Sequence, residues 1–61
     1  MKANDLIKLL LQKGWYEVRQ NGSHKIFKHP TIEKNIAVPM HGKKDIAIGT
    51  LKEIQKTAGL K

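Results

Sequence analysis

Residues 14–30 read Gly14-Trp15-Tyr16-Glu17-Val18-Arg19-Gln20-Asn21-Gly22-Ser23-His24-Lys25-Ile26-Phe27-Lys28-His29-Pro30, two short runs rich in β-branched and aromatic residues on either side of Asn21-Gly22. Such runs favour strands, here Tyr16 to Gln20 and Lys25 to Lys28. Asn-Gly between them favours a tight hairpin turn, because both residues tolerate positive φ. Closing that turn on two residues would set Arg19 opposite His24 and Tyr16 opposite Phe27, which mixes polar and apolar side chains on each face. The register is therefore open to a bulge or a longer loop. His29-Pro30 ends the second strand, since proline has no N–H for a ladder.

Outward from the hairpin, Ile36 to Val38 is a third strand, ended by Pro39 for the same reason. Upstream, residues 3–13 place Leu6, Ile7, Leu10 and Leu11 at the spacing that one face of a helix buries. Gly14 can take the left-handed conformation that stops this helix, with Trp15 folding back onto Leu10. Residues 45–60 repeat the logic, with Ile48, Leu51, Ile54 and Ala58 on one face and Gly59-Leu60 as the stop. The start of that second helix has two readings, a capping box of Thr50 with Glu53 or an earlier cap at Asp45. The order is α-β-β-β-α. Three antiparallel strands with both helices on one face make an α+β domain, a single unit over residues 1–61, whose other sheet face meets solvent.

The chain has 61 residues, so it holds one core at most and little room for an enclosed pocket. Twelve Lys and Arg against five Asp and Glu give a net charge of +7, and residues 21–44 carry five Lys against one Glu. On so small a surface these cations must share a face or a rim, the electrostatic footprint expected for phosphate backbones. Membrane association is disfavoured: the longest apolar run is Leu9-Leu10-Leu11, and no signal-peptide pattern opens the chain. A cytoplasmic protein is expected. With no cysteine there is no thiolate nucleophile and no Cys-based zinc site. His24, His29 and His41 match no zinc spacing, so no metal and no small-molecule cofactor are expected.

His24 stands just past the turn, flanked by Arg19 and Lys25, and an imidazole gives or takes protons at neutral pH. RNA carries its own nucleophile, the 2′-hydroxyl, so its cleavage needs only proton transfer and a cation beside the phosphate. The other reading of Ser23 and His24 is a pair of polar turn residues. Ser23 could orient the imidazole or bind phosphate, and Arg19, Lys25, Lys28 and Lys43 are candidate phosphate contacts, with Asn21 and Gly22 supporting the turn. His29 reads as a strand-end residue and His41 as a loop residue within reach of phosphate. Trp15 and Phe27 could stack bases, but in a domain of this size a lone Trp next to a helix stop is more often part of the core.

The run Gly14 to Pro30, followed by Val38-Pro39-Met40-His41, Gly49-Thr50-Leu51 and Ala58-Gly59-Leu60, resembles the HicA-type toxins of bacterial toxin-antitoxin pairs from end to end. The resemblance implies a fold like that of double-stranded-RNA-binding domains, in the α-β-β-β-α order read above. It implies a ribosome-independent mRNA endonuclease whose essential histidine falls on His24, and the lack of metal-ligand spacing makes a metal-independent one the expectation. It also implies a HicB-type antitoxin that covers the active surface, and the basic charge of the chain makes an acidic one that covers His24 the expectation. The rival from another class is a non-catalytic module that binds double-stranded RNA by shape and phosphate contacts alone, for which a histidine at the hairpin is not required. A DNA-binding accessory protein is weaker still, since no helix is rich in base-reading side chains.

Overall fold

The structure, a computed structural model, describes residues 1–40 and 45–60. The elements are α1 (Ala3–Gln12), β1 (Tyr16–Asn21), β2 (His24–Lys28), β3 (Ile36–Pro39) and α2 (Ile48–Ala58), in the expected α-β-β-β-α order. The strands form one antiparallel sheet in the order β1-β2-β3.

Both helices end as their glycines require. Gly14 has φ +93°, and the Trp15 and Gly14 N–H groups donate to the carbonyls of Leu10 and Leu11 at 3.0 and 3.1 Å. These bonds satisfy carbonyls that the helix end would otherwise orphan. Gly59, with φ +72°, repeats the arrangement, and the Leu60 N–H reaches the Gln55 carbonyl at 2.8 Å. The start of α2 differs from both sequence readings. Ala47 is the N-cap and makes no side-chain cap hydrogen bond, which puts Thr50 inside the helix. Asp45 instead forms an isolated antiparallel bridge with Lys2, and the Ile46 N–H donates to the Met1 carbonyl at 3.0 Å. Chain pairing, rather than a cap, aligns the entry into α2.

The core lies between the helices and one sheet face. Ala3, Leu6 and Leu10 of α1 and Ile54 and Ala58 of α2 meet Phe27, Ile36 and Val38 of the sheet, with Trp15 and Ile46 closing the sides. Two members of the expected stripes lie outside it: Leu11 is 53% exposed and Ile48 71%. Ile48 is the first residue of α2, and Ile46, on the paired segment before it, takes the buried position. Full burial of one such side chain contributes about 1.5–3 kcal/mol. A domain this small depends on each of them.

The structure supplies the hairpin register that the sequence left open and moves the turn by one residue. Asn21 pairs with His24, so Gly22-Ser23 is the two-residue turn. Gly22 has φ +62°, and among the described residues no non-glycine residue has positive φ, Asn21 included. A turn with positive φ only at its first central residue suits a hairpin and needs glycine only there. The Gln20 side-chain amide donates to the Gly22 carbonyl at 3.1 Å and braces it. Beyond Gln20↔Lys25 and Arg19↔Ile26 the register shifts, and Glu17 pairs with Phe27. Val18 is the extra residue of a β-bulge.

Candidate nucleic-acid interface

Side chains alternate across a strand, and residues directly paired on neighbouring strands share a face. Phe27 points into the core, so Ile26 and, two residues either side, His24 and Lys28 face away from the helices. Their partners are Arg19, Asn21 and Tyr16 on β1 and Ala37 and Pro39 on β3. The open sheet face thus brings together three of the residues singled out in the sequence: His24, Arg19 and Lys28. They come from two strands, and the turn at Gly22-Ser23 sets Arg19 opposite Ile26, between the other two.

Lys25 falls on the opposite face. It pairs with Val38, which is fully buried, and its ammonium lies 3.6 Å from the Glu17 carboxylate. The bulge brings Glu17 to the helix side, where it meets Lys25. Ser23 sits in the turn, where its carbonyl accepts from the Met40 N–H at 2.6 Å, extending the β2-β3 ladder past Pro39. Gly22 makes the turn and Asn21 ends β1, on the same face as His24. Lys43 and His41 lie outside the described residues.

His29 has a different task. Its Nε2 donates to the Lys13 carbonyl at 2.9 Å, while Nδ1 accepts from the Thr31 N–H at 3.1 Å. These contacts require the Nε2–H tautomer. The ring also meets Trp15 edge-on, centroids 5.1 Å apart. Trp15 and Phe27 are core residues, 2% and 0% exposed, and neither is open to a base. The buried Trp15 Nε1 has no hydrogen-bond partner among the described residues.

The sequence reading passed over the apolar centre of the open face. Val18 and Ile26 line a shallow hollow of about 330 Å³ with Arg19, Lys28 and Asn35. Tyr16 stands next to it, opposite Lys28, and is 47% exposed. The available signal was the mixed faces of the simple register, which pointed to a bulge, and the bulge falls at Val18. Among the described residues no group of three or more His, Asp or Glu side chains is placed to hold a metal ion, and no helix is long and apolar enough to cross a membrane.

No curated protein matches the chain. Among solved structures, a chain of a HicA3 and HicB3 toxin-antitoxin complex is similar, at 35% identity and a TM-score of 0.74, over 100% of this chain and 97% of that one. The family model for the HicA toxin of bacterial toxin-antitoxin systems matches residues 3–60, nearly the whole length, with the glycine stops, the hairpin and the open face all inside it. The chain belongs to the HicA toxin family.

Proposed function

We propose that this toxin acts as a metal-independent endoribonuclease on mRNA, with His24 as its proton-transfer residue and Arg19 and Lys28 as phosphate contacts. The observation that carries the reading is the register, which sets His24, Arg19 and Lys28 on one open face of a chain with net charge +7. In the reaction the RNA 2′-hydroxyl attacks the adjacent phosphorus, and the bond to the 5′-oxygen of the next nucleotide breaks. One proton leaves the 2′-oxygen and one reaches the departing oxygen, and an imidazole can take part in such transfer as base or acid. The guanidinium and ammonium groups offset the extra negative charge of the pentacoordinate phosphorus. The products carry 2′,3′-cyclic phosphate and 5′-hydroxyl ends. Ser23 and Lys43 complete the proposed contacts, with Asn21 and Gly22 holding the turn. Lys25, paired with Glu17 on the other face, is the weakest member of the set.

The likeness to a chain of a HicA3 and HicB3 complex supports a HicB-type antitoxin for this chain too, and the net charge of +7 is the reason to propose an acidic one. A domain with one open basic face offers RNA and an acidic inhibitor the same surface, so the antitoxin is proposed to cover His24, with an association rate that falls steeply with salt. The deciding experiment is cleavage of a defined RNA by purified parent and His24→Ala proteins. Loss of activity by about 10²- to 10⁴-fold with unchanged folding supports the assignment. Equal rates overturn it. RNA binding by the parent with no cleavage points instead to the binding-module reading.

A further inference from the structure

The bulge at Val18 sets an unusual composition on the open sheet face. Without it, Val18 would follow Arg19 into the slot opposite Phe27, on the core side; with it, Glu17 takes that slot and Val18 lines the outer hollow. A β-branched residue is thereby left 43% exposed, beside Ile26 and near the half-exposed Tyr16. Bulges commonly re-aim side chains next to functional sites. The hollow is lined by two aliphatic side chains, Val18 and Ile26, two cations, Arg19 and Lys28, and one residue with an amide side chain, Asn35. No carboxylate lines the hollow.

A phosphate contact alone needs no apolar floor, and an A-form duplex keeps its bases stacked away from a protein sheet. An unstacked nucleobase needs what this face offers: an apolar bed, an aromatic edge, an amide able both to donate and to accept, and cations for the flanking phosphates. We propose that the hollow formed by Val18, Ile26 and Asn35, beside Tyr16, seats one unstacked base of a single-stranded RNA, with its flanking phosphates on Arg19 and Lys28. The inference rests on the endoribonuclease reading and narrows its substrate to single strands. It also orients the strand across β1 and β2, with the base two residues along β2 from His24.

The test is equilibrium binding of the full chain to three probes: a short single-stranded 2′-O-methyl RNA, which lacks the attacking hydroxyl, the same backbone with abasic sites, and the corresponding duplex. The intact single strand should bind at least about fivefold more tightly than the abasic strand, the lower end of what stacking one base supplies. Val18→Ser and Tyr16→Ser should each shrink that difference while leaving abasic affinity unchanged. Arg19→Gln should weaken both strands alike. Because Val18 and Tyr16 are exposed, thermal unfolding should report native folds for both variants. Equal binding of intact and abasic strands, duplex binding as tight as single-strand binding, or variants that weaken only antitoxin binding would each overturn the proposal. Cleavage of unmodified RNA separates the two ideas: a base preference without cleavage sinks the endonuclease reading alone, and cleavage without a base preference sinks the base site alone.

Discussion

The Nε2 of His29 lies 2.9 Å from the carbonyl oxygen of Lys13, tying the end of β2 to the end of α1 across 16 residues of chain. The same ring packs on Trp15, and a Cβ built on Gly14 would stand 3.0 Å from its Nε2. One imidazole thus fixes how the first helix leaves for the sheet. His24, on the open face, has no part in that junction.

This separates the two histidines experimentally. His29→Ala removes the hydrogen bonds to the Lys13 carbonyl and from the Thr31 N–H and an edge-on ring contact, and should lower stability by about 1–3 kcal/mol in urea unfolding. Cleavage per folded molecule should stay at the parent level. Gly14→Ala should destabilise too, because it combines a φ of +93° with the close approach to His29. A His29→Ala protein that is fully stable but inactive would reverse the two roles.

The two cations of the open face and the one behind it should respond differently to charge removal. Arg19→Gln and Lys28→Gln should each weaken single-stranded RNA binding and flatten its salt dependence, by about 0.7 in the log–log slope for each phosphate that is no longer neutralised. Lys25→Gln should change that slope little, since its ammonium meets Glu17 on the helix side. Titrations over a range of salt concentrations decide the matter. A larger slope change for Lys25 than for Arg19 would contradict the assignment of faces.

RNA cleavage should persist in chelator and leave 2′,3′-cyclic phosphate ends, because the substrate's own hydroxyl is the nucleophile. End-group analysis by mass spectrometry reads this directly. Activity that disappears in chelator and returns with magnesium or manganese would point to a different mechanism.

Core truncation should be severe. Phe27 is fully buried at the centre of the sheet, and Phe27→Ala should cost about 3–5 kcal/mol, a large share of what so small a domain holds. Circular dichroism should show a largely unfolded variant at 37 °C. A cooperative, parent-like transition would mean that the sheet is held by something other than this core.

The Lys2 ammonium lies 3.0 Å from the Asp45 carboxylate, and this bond, with the charge of Lys2, holds the Asp45 carboxyl below its ordinary pKa. A pKa lowered in the folded state makes a contribution that is present above the ordinary carboxylate range and lost as pH falls through the lowered value. Both groups are exposed, so the effect is small. Between about pH 6 and pH 3 the parent should lose slightly more stability than Asp45→Asn. Identical pH dependence in the two proteins would show that the pair contributes nothing.

What the sequence by itself determined is local. The glycine stops after both helices, the proline at the end of β3 and the three β-rich runs each follow from the backbone preferences of one or a few neighbouring residues, and the structure forms them where those preferences act. Which residues share a face was a tertiary matter. The turn moved from Asn21-Gly22 to Gly22-Ser23, and the bulge at Val18 then displaced Glu17 by one step. These shifts decided that Arg19 lies opposite Ile26 rather than His24, that Glu17 faces the helices beside Phe27 and Lys25, and that Tyr16 lies on the open face opposite Lys28. The side-chain period of a strand is two residues, so a one-residue change of register inverts a face. Only packing of Phe27, Ile36 and Val38 against both helices selects among registers that local propensity leaves nearly equal. The start of α2 was settled the same way: pairing of Asp45 with Lys2 and burial of Ile46 set where the helix begins, through contacts between segments more than 40 residues apart in the chain.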